Sequence, residues 1–464
     1  MRARRILASV FAFLALSLAV SLPAYADSQT GAPIPQGAPA PQGSAPAPQG
    51  VKPLASPPND APISSERAGL TVHGNIQVGE EYNDNVNDTN RPKADMVTRV
   101  NPGLDLTYVG NRASAEVSYR GDLRLYNTGR RPNEMFHTLN AKGLLDVIPN
   151  TLVLDVSDQN LMVFRDIARG TPSGVDSTRN QVNQNIASAG LTLTPNLGER
   201  TRASLGYRIT ATLYGSRQDP DMLTQDISLD VMHELTDRMR AGFDIVAERQ
   251  LVDQNGVRTV RHSEEGDVTR VTGTLVGNYA YSQNGSLFCR GGAIYSLYDT
   301  GATVVYPTWS AGLTHTLGKT TFTLQTDASY QNNPGSSSDI FQTTYVASMA
   351  HAFGRGTVTL RAGYSRYFGQ TSHYDQDLTI GVDATYDLTE RLKLTVGAHR
   401  AGWDENASAR GNPIRYYGEA ELAYQLPKNF SVKLYYQGKI TPGRHTRQSG
   451  GNVNVVGIGL QYSF

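Results

Sequence analysis

The chain has 464 residues, with 42 basic and 42 acidic side chains, one cysteine and 39% hydrophobic residues. The balanced charge argues against a general nucleic-acid binder, which normally carries a basic excess. One cysteine excludes an intrachain disulfide scaffold and a multi-cysteine metal cluster. The mean hydropathy of -0.38 leaves room for one apolar helical span, not for a helical membrane bundle.

The chain begins with the pattern of a secretory signal peptide over residues 1–26. Three arginines precede an apolar stretch from Ile6 to Leu22, and small residues surround Ala26. We expect cleavage after Ala26, which would leave 42 − 3 = 39 basic and 42 acidic residues, because the segment contains three Arg and no acid. The alternative is a retained N-terminal membrane anchor.

Residues 27–66 form a Pro/Ala/Gly-rich segment that contains ten of the chain's 23 prolines. Such a sequence buries too little apolar surface to fold, and it favours extended polyproline II conformations. We predict a disordered periplasmic linker. It would serve either as a spacer or as a tether to the cell wall or to a periplasmic partner.

Residues 67–464 are dominated by an apolar–polar alternation of period two. Between Thr201 and Tyr214, apolar side chains occupy the odd positions from Ala203 to Leu213, and polar residues or glycine occupy the even ones. Side chains of a strand alternate between two faces, so the chain is predicted to be all-β. The strands are longer than those of a soluble sandwich or propeller and suit a transmembrane antiparallel up-and-down β-barrel, whose strands need about 9–11 residues to cross.

Tight, polar turns recur along this region and give a strand count. Short turns at one end and longer, more polar connections at the other are typical of an outer-membrane barrel with a periplasmic short end. The pattern predicts about 18–20 strands. The nine short turns lie near Gly110, Pro149, Asn196, Thr236, Asn284, Gly318, Gly354, Thr389 and Pro427. The longer connections include Glu80–Pro92, Asp166–Thr178, Asp253–Glu265, Trp403–Pro413 and Thr441–Gly451.

The final strand carries the most specific pattern in the chain. Apolar side chains alternate with small or polar residues up to the C-terminus, at Val456, Ile458, Leu460, Tyr462 and Phe464. This ending resembles the terminal signal of bacterial outer-membrane barrels. The resemblance implies that the barrel-assembly machinery reads this strand.

The barrel region as a whole resembles the beta-barrel porin type 2 family of outer-membrane proteins. The recognisable local match is the segment from Tyr82 to Val86, with the sequence Tyr-Asn-Asp-Asn-Val. Elsewhere the resemblance is one of pattern over about residues 68–464. Members of such families often belong with exopolysaccharide or other envelope systems. The resemblance carries no catalytic residues over to this chain.

A barrel of this size is wide enough to hold water, and its selectivity would come from inward side chains. Both signs of charge occur on the predicted inner face, which argues against a simple anion channel. Inward Tyr126, Tyr214, Tyr417 and Tyr435 could stack on sugars. The predicted lumen-lining residues are Glu116, Arg120, Asp122, Arg124, Arg208, Asp226, Asp230, Arg240, Asp244, Glu248, Asp327, Arg361, Asp377, Asp383, Lys393, Glu419, Glu421 and Lys433.

Other chemistry has weak support in the sequence. The acidic segment from Glu80 to Asp88 has oxygen ligands suited to calcium, but it lacks the glycine and the distant glutamate of an EF-hand loop. No motif joins the nine histidines to a nucleophile. We therefore predict no enzyme activity, no cofactor and no metal site.

Three functions fit these expectations. The first is a porin-like channel for hydrophilic solutes in the bacterial outer membrane. The second is a dedicated export pore for a secreted exopolysaccharide, and the third is a non-conducting barrel that acts as a surface adhesin or scaffold. The expected partners are outer-membrane lipid and the barrel-assembly machinery, with no nucleic acid. The solute, its direction and the oligomeric state are left open.

Overall fold

The structure is a computed structural model, and it describes residues 69–89, 91–165, 172, 175–176, 181–216, 219–253, 266–332, 339–368, 376–403, 414–442 and 451–464. The predicted signal peptide and Pro-rich linker lie outside these residues. Within the described ranges, no helix has the length and apolar character needed to cross a membrane.

All regular structure in these ranges is β-strand, and twenty strands form one antiparallel sheet. The strands are β1 (Gly69–Asn83), β2 (Asp95–Val109), β3 (Ala113–Tyr126), β4 (Glu134–Ile148), β5 (Leu152–Phe164), β6 (Gln181–Leu193), β7 (Thr201–Tyr214), β8 (Asp221–Thr236), β9 (Met239–Asp253), β10 (Val268–Ser282), β11 (Gly285–Tyr298), β12 (Thr303–Leu317), β13 (Thr320–Asn332), β14 (Asp339–Phe353), β15 (Gly356–Phe368), β16 (Gln376–Asp387), β17 (Leu392–Ala401), β18 (Arg415–Gln425), β19 (Phe430–Ile440) and β20 (Val453–Ser463).

The sheet closes on itself, because β1 pairs with β20 as well as with β2. Each strand otherwise pairs with its neighbours in sequence, so the fold is a closed up-and-down β-barrel of 20 strands. This confirms the predicted fold class and strand number. The backbone of the last residue completes the seam: the Phe464 N–H donates to the Gly74 carbonyl and the Gly74 N–H donates to the Phe464 carbonyl, both at 2.8 Å.

The nine predicted short turns each join an even-numbered strand to the next odd-numbered one, at one end of the barrel. Four of these turns hold residues at positive φ, with values of 57° at Asn150, 110° at Gly198, 58° at Gly318 and 62° at Asn429. Asparagine and glycine adopt that conformation most readily, which is why turn residues marked the strand ends so well. One boundary was wrong: β1 continues to Asn83, so Glu80 lies on a strand and not in a loop.

The two faces of the sheet have different exposure. On β20, the side chains of Val456, Ile458 and Phe464 are 49%, 55% and 64% exposed, while Val453 and Val455 on the other face are 1% and 3% exposed. Residues paired across strands share a face, so the exposed apolar side chains form a continuous outer surface. The proposed assembly signal lies on that surface, and its recognition stays a prediction.

One group of polar side chains breaks the apolar outer surface, on β5 and β6. Asp158 and Asn160 follow Val156 on its face, and Asn183 and Asn185 follow Leu191. The Asn185 amide donates to Asp158 at 2.7 Å, and Asn160 and Asn183 exchange two hydrogen bonds of 2.9 Å. Because hydrocarbon offers no hydrogen-bond partners, these groups satisfy one another.

The closing seam gives a test of the fold. A Cβ atom at Gly79 on β1 would lie 2.5 Å from the backbone oxygen of Ile458 on β20. We expect Gly79→Ala to lower the free energy of unfolding by about 1–3 kcal/mol, because this backbone contact cannot relax without opening the seam. Urea unfolding of the detergent-purified barrel measures the change. The matched control is Gly291→Ala, where a Cβ would have no neighbour within 4 Å; equal stabilities of the two variants would contradict the expectation.

Candidate functional site: the lumen and its mouth

The inner face of the barrel carries the predicted lumen-lining side chains. Strand register places every one of them on the face opposite the exposed apolar residues, on β3, β7, β8, β9, β13 and β15 to β19. On β3, for example, Glu116 and Arg120 alternate with Val117 and Tyr119. Their part in selectivity stays a prediction.

Opposite charges on the inner face pair between neighbouring strands. The nitrogen–oxygen distance is 2.7 Å for Arg120 with Asp105, 2.9 Å for Arg208 with Asp155, and 3.6 Å for Lys433 with Glu421. Further pairs join Arg240 to Glu234, Arg270 to Glu248 and Arg290 to Asp244. Because the charges alternate in sign around the wall, the described part of the lumen has no row of like charges that would select cations over anions or the reverse.

A buried charge cluster joins β1, β2 and β3. The Arg99 guanidinium donates to Asp122 through Nε at 3.0 Å and Nη2 at 2.6 Å, and Nη1 lies 3.2 Å from Glu81. Arg124 contacts the same Asp122 at 2.8 Å. Two cations and two carboxylates balance, as burial of charge requires. The sequence prediction included Asp122 and Arg124 but missed Arg99, which the alternation on β2 could have found.

The connection between β1 and β2 folds against the last strands at the other end of the barrel from the short turns. Asp88 accepts hydrogen bonds from Lys439 Nζ at 2.6 Å and from the Gly451 N–H at 2.8 Å. Asp84 accepts two bonds of 2.7 Å from Asn454. The acidic residues considered for calcium are therefore engaged by groups of the protein itself.

The connection between β5 and β6 also reaches this side of the barrel. Asp176 accepts a hydrogen bond from the Tyr417 hydroxyl at 3.0 Å and lies 3.4 Å from Lys439 Nζ. Val175 packs against Val453 and Val455 on β20. Because β1 to β4 and β20 lie between β5 and β19 in the wall, residues 175 and 176, here called the crossing segment, lie far around the mouth from the strand where the connection begins.

A second ion pair holds the start of the same connection. Arg165 Nη2 lies 3.1 Å from Asp219 in the connection between β7 and β8. Burial raises the pKa of the Asp219 carboxyl above its usual range, against the opposing effects of Arg165 and Ser216. The start of the β5–β6 connection is thus held against the β7–β8 connection.

The four tyrosines predicted to stack on sugars have their hydroxyl groups in internal hydrogen bonds. Tyr126 donates to Glu134 at 2.9 Å, and Tyr435 donates to Glu81 at 3.1 Å. Tyr214 accepts a bond of 2.9 Å from Gln184, and Tyr417 binds the crossing segment. These side chains support the wall and the mouth.

One set of side chains on the inner face has the donor types of a metal site. Asp383, His399 and Glu419 on β16, β17 and β18 each offer one donor atom, and these atoms lie within 4.8 Å of one another. The sequence prediction named the two carboxylates as lumen charges and expected no metal. It missed His399, because no local motif links the three positions.

Residues 66–247 match the sequence model of the family described as Putative beta-barrel porin 2. The match confirms the predicted resemblance over these residues. Together with the closed barrel, it supports an outer-membrane protein of porin-like type. No curated protein sequence matches the chain.

Solved structures with similar folds include large outer-membrane barrels of low sequence identity. The FrpB iron transporter from Neisseria meningitidis (F3-3 variant) is 11% identical with a TM-score of 0.47, over 84% of this chain and 81% of that chain. The siderophore receptor PirA from Pseudomonas aeruginosa is 10% identical with a TM-score of 0.44, over 86% and 81%. The ferric-catecholate import receptor Fiu from E. coli K12 is 8% identical with a TM-score of 0.45, over 84% and 81%.

Lys439 on β19 joins the β1–β2 and β5–β6 connections to the wall, because its buried side chain, 1% exposed, contacts both Asp88 and Asp176. Removing one partner of a buried ion pair costs about 3–5 kcal/mol. We expect Lys439→Ala to release the crossing segment and to speed tryptic cleavage after Arg165 at least about tenfold, a factor that corresponds to about 1.4 kcal/mol. Limited proteolysis of the detergent-purified barrel measures the rate.

The control variant is Lys428→Ala, which removes one cation from the short turn before β19. Lys439→Arg, which keeps the charge, should restore protection at least in part. Identical cleavage of wild type and Lys439→Ala would show that this lysine does not hold the connection.

Proposed function

We propose that the protein is an outer-membrane channel for small hydrophilic solutes, narrowed at its extracellular mouth by the crossing segment. The observation that carries the proposal is the inner face itself, which is polar and charge-paired within a closed wall of apolar exterior. Such a lining keeps water inside the barrel. Its 20 strands give it a width between the widths of water-filled porins and of plugged transporters.

The periplasmic half of the lumen supports this function. A polar recess of about 150 Å³ lies there, and its lining includes Asp105, Glu116 and Lys142. Hydrogen-bond acceptors and a cation lie close together in this recess. The hydroxyl groups of a sugar, or the ammonium and carboxylate groups of an amino acid, could therefore take the place of water there. Paired charges favour neutral or zwitterionic solutes over free ions of one sign.

The location of the channel follows from the same proposal. We infer that residues 1–26 direct export and are removed after Ala26, and that the barrel-assembly machinery reads the strand ending in Phe464. Residues 27–66 would then extend into the periplasm, as a spacer or as a tether to a cell-wall or periplasmic partner. Outer-membrane lipid would surround the apolar exterior.

The crossing segment also favours a second candidate, a non-conducting barrel that acts as a surface adhesin or scaffold. In that case the anchored connections would close the lumen, and the remaining long connections would be the functional surface. The exopolysaccharide export pore is supported by the family resemblance and by the predicted periplasmic segment, while the hydroxyl groups of the inward tyrosines that suggested it have internal partners.

Liposome swelling separates these functions. We expect liposomes containing the full-length protein to swell in an isotonic monosaccharide, more slowly in a disaccharide and least in a tetrasaccharide, because the narrowed mouth sieves solutes by size. Protein-free liposomes are the control, and heat-modifiable migration in gels shows that the barrel is folded. A folded barrel that admits no monosaccharide would overturn the channel and favour the non-conducting barrel.

A further inference from the structure

We infer that Asp383, His399 and Glu419 form a binding site for a divalent first-row transition cation, of which Zn²⁺ is the simplest probe. The three side chains come from three adjacent strands and lie on the inner face of the wall. The inference is independent of the channel function, because it concerns binding to the wall and not passage through the lumen.

Strand register brings the three donors together. Gly397 on β17 pairs with Asp383 on β16 and with Glu419 on β18, so the two carboxylates flank this glycine. His399 lies two residues further along β17 on the same face. Its Nε2 is 3.1 Å from Asp383 Oδ1, and all three donor atoms lie within 4.8 Å of one another.

Glycines provide the space in which the donors converge. A Cβ atom at Gly397 would lie 2.9 Å from Glu419 Oε1 and 3.1 Å from Asp383 Oδ1. A Cβ atom at Gly381, the partner of His399 on β16, would lie 2.4 Å from the imidazole Nδ1. Any side chain at these two positions would displace the donors, so the glycines form the floor of the site.

The donor set determines the class of cation. One imidazole and two carboxylates suit borderline metals such as Zn²⁺, and three protein ligands leave a position for water from the lumen. With ligand bonds of about 2.0–2.2 Å, tetrahedral donors lie about 3.3 Å apart, so a spread of up to 4.8 Å must close by at most about 1.5 Å. The Glu419 side chain is exposed, so a rotation of this side chain can make that movement.

The third group, the Glu419 carboxylate, distinguishes a metal site from a simple ion pair. An ion pair of His399 with Asp383 would use only two of the three groups. Glu421, the next inward residue on β18, is paired with Lys433 at 3.6 Å, while Arg361 on β15 pairs in register with Gly381. In a metal site Glu419 is a ligand, whereas beside a His399–Asp383 ion pair it only adds a neighbouring negative charge, so it is the residue that tests the inference.

Isothermal titration of the detergent-purified full-length protein with Zn²⁺ tests the site. We expect saturable binding of one ion, weakened at least about tenfold by His399→Ala and by Glu419→Gln, since even the loss of an outer-shell partner costs 10–100-fold in affinity. Asp327→Asn is the control, because that lumen carboxylate binds Ser310 and Gln325 on another part of the wall.

Co²⁺ gives a second readout, since its visible absorption reports nitrogen and oxygen coordination and should be weaker in both site variants at the same Co²⁺ concentration. Heat-modifiable migration confirms that each variant folds, and His399→Asn replaces His399→Ala where it does not. Absence of saturable binding in the wild type, or equal affinity in wild type and Glu419→Gln, would overturn the site. Neither result depends on whether the barrel conducts.

Discussion

The structure depends on one constraint: every backbone N–H and C=O group in a bilayer needs a partner within the protein. The β1–β20 seam meets that constraint for the whole wall, ending in the reciprocal hydrogen bonds of Gly74 and Phe464. Once the wall is closed, the pleat assigns each side chain to lipid or lumen. The polar group on β5 and β6 obeys the same constraint, because its members bond to one another where lipid cannot.

Closure also determines the chemistry of the lumen. Charged residues that alternate along the strands face inward, where they meet opposite charges on neighbouring strands. Near the mouth the paired charges are buried and form networks of more than two groups. Arg99 and Lys439, which are 4% and 1% exposed, lie in such networks. The proposed channel would combine a hydrated periplasmic half with an extracellular mouth in which charge pairs and apolar contacts hold the connections.

Local pattern predicted the wall well, because alternation and turn chemistry act between adjacent residues. It predicted the strands, their faces, the nine turns and the apolar face that ends in Phe464. It could not predict contacts such as that of Lys439 with Asp88, which are 351 residues apart. For the same reason the convergence of His399 with two carboxylates was missed: register across three strands creates it, and the three positions form no local motif in the sequence.

Single-channel recording of the full-length protein in planar bilayers tests the central claim most directly. A water-filled lumen narrowed by an anchored segment predicts discrete, long-lived conductance steps with little preference between small cations and anions. Bilayers that stay silent although the inserted protein is a folded barrel would contradict it, and would show that the connections close the lumen.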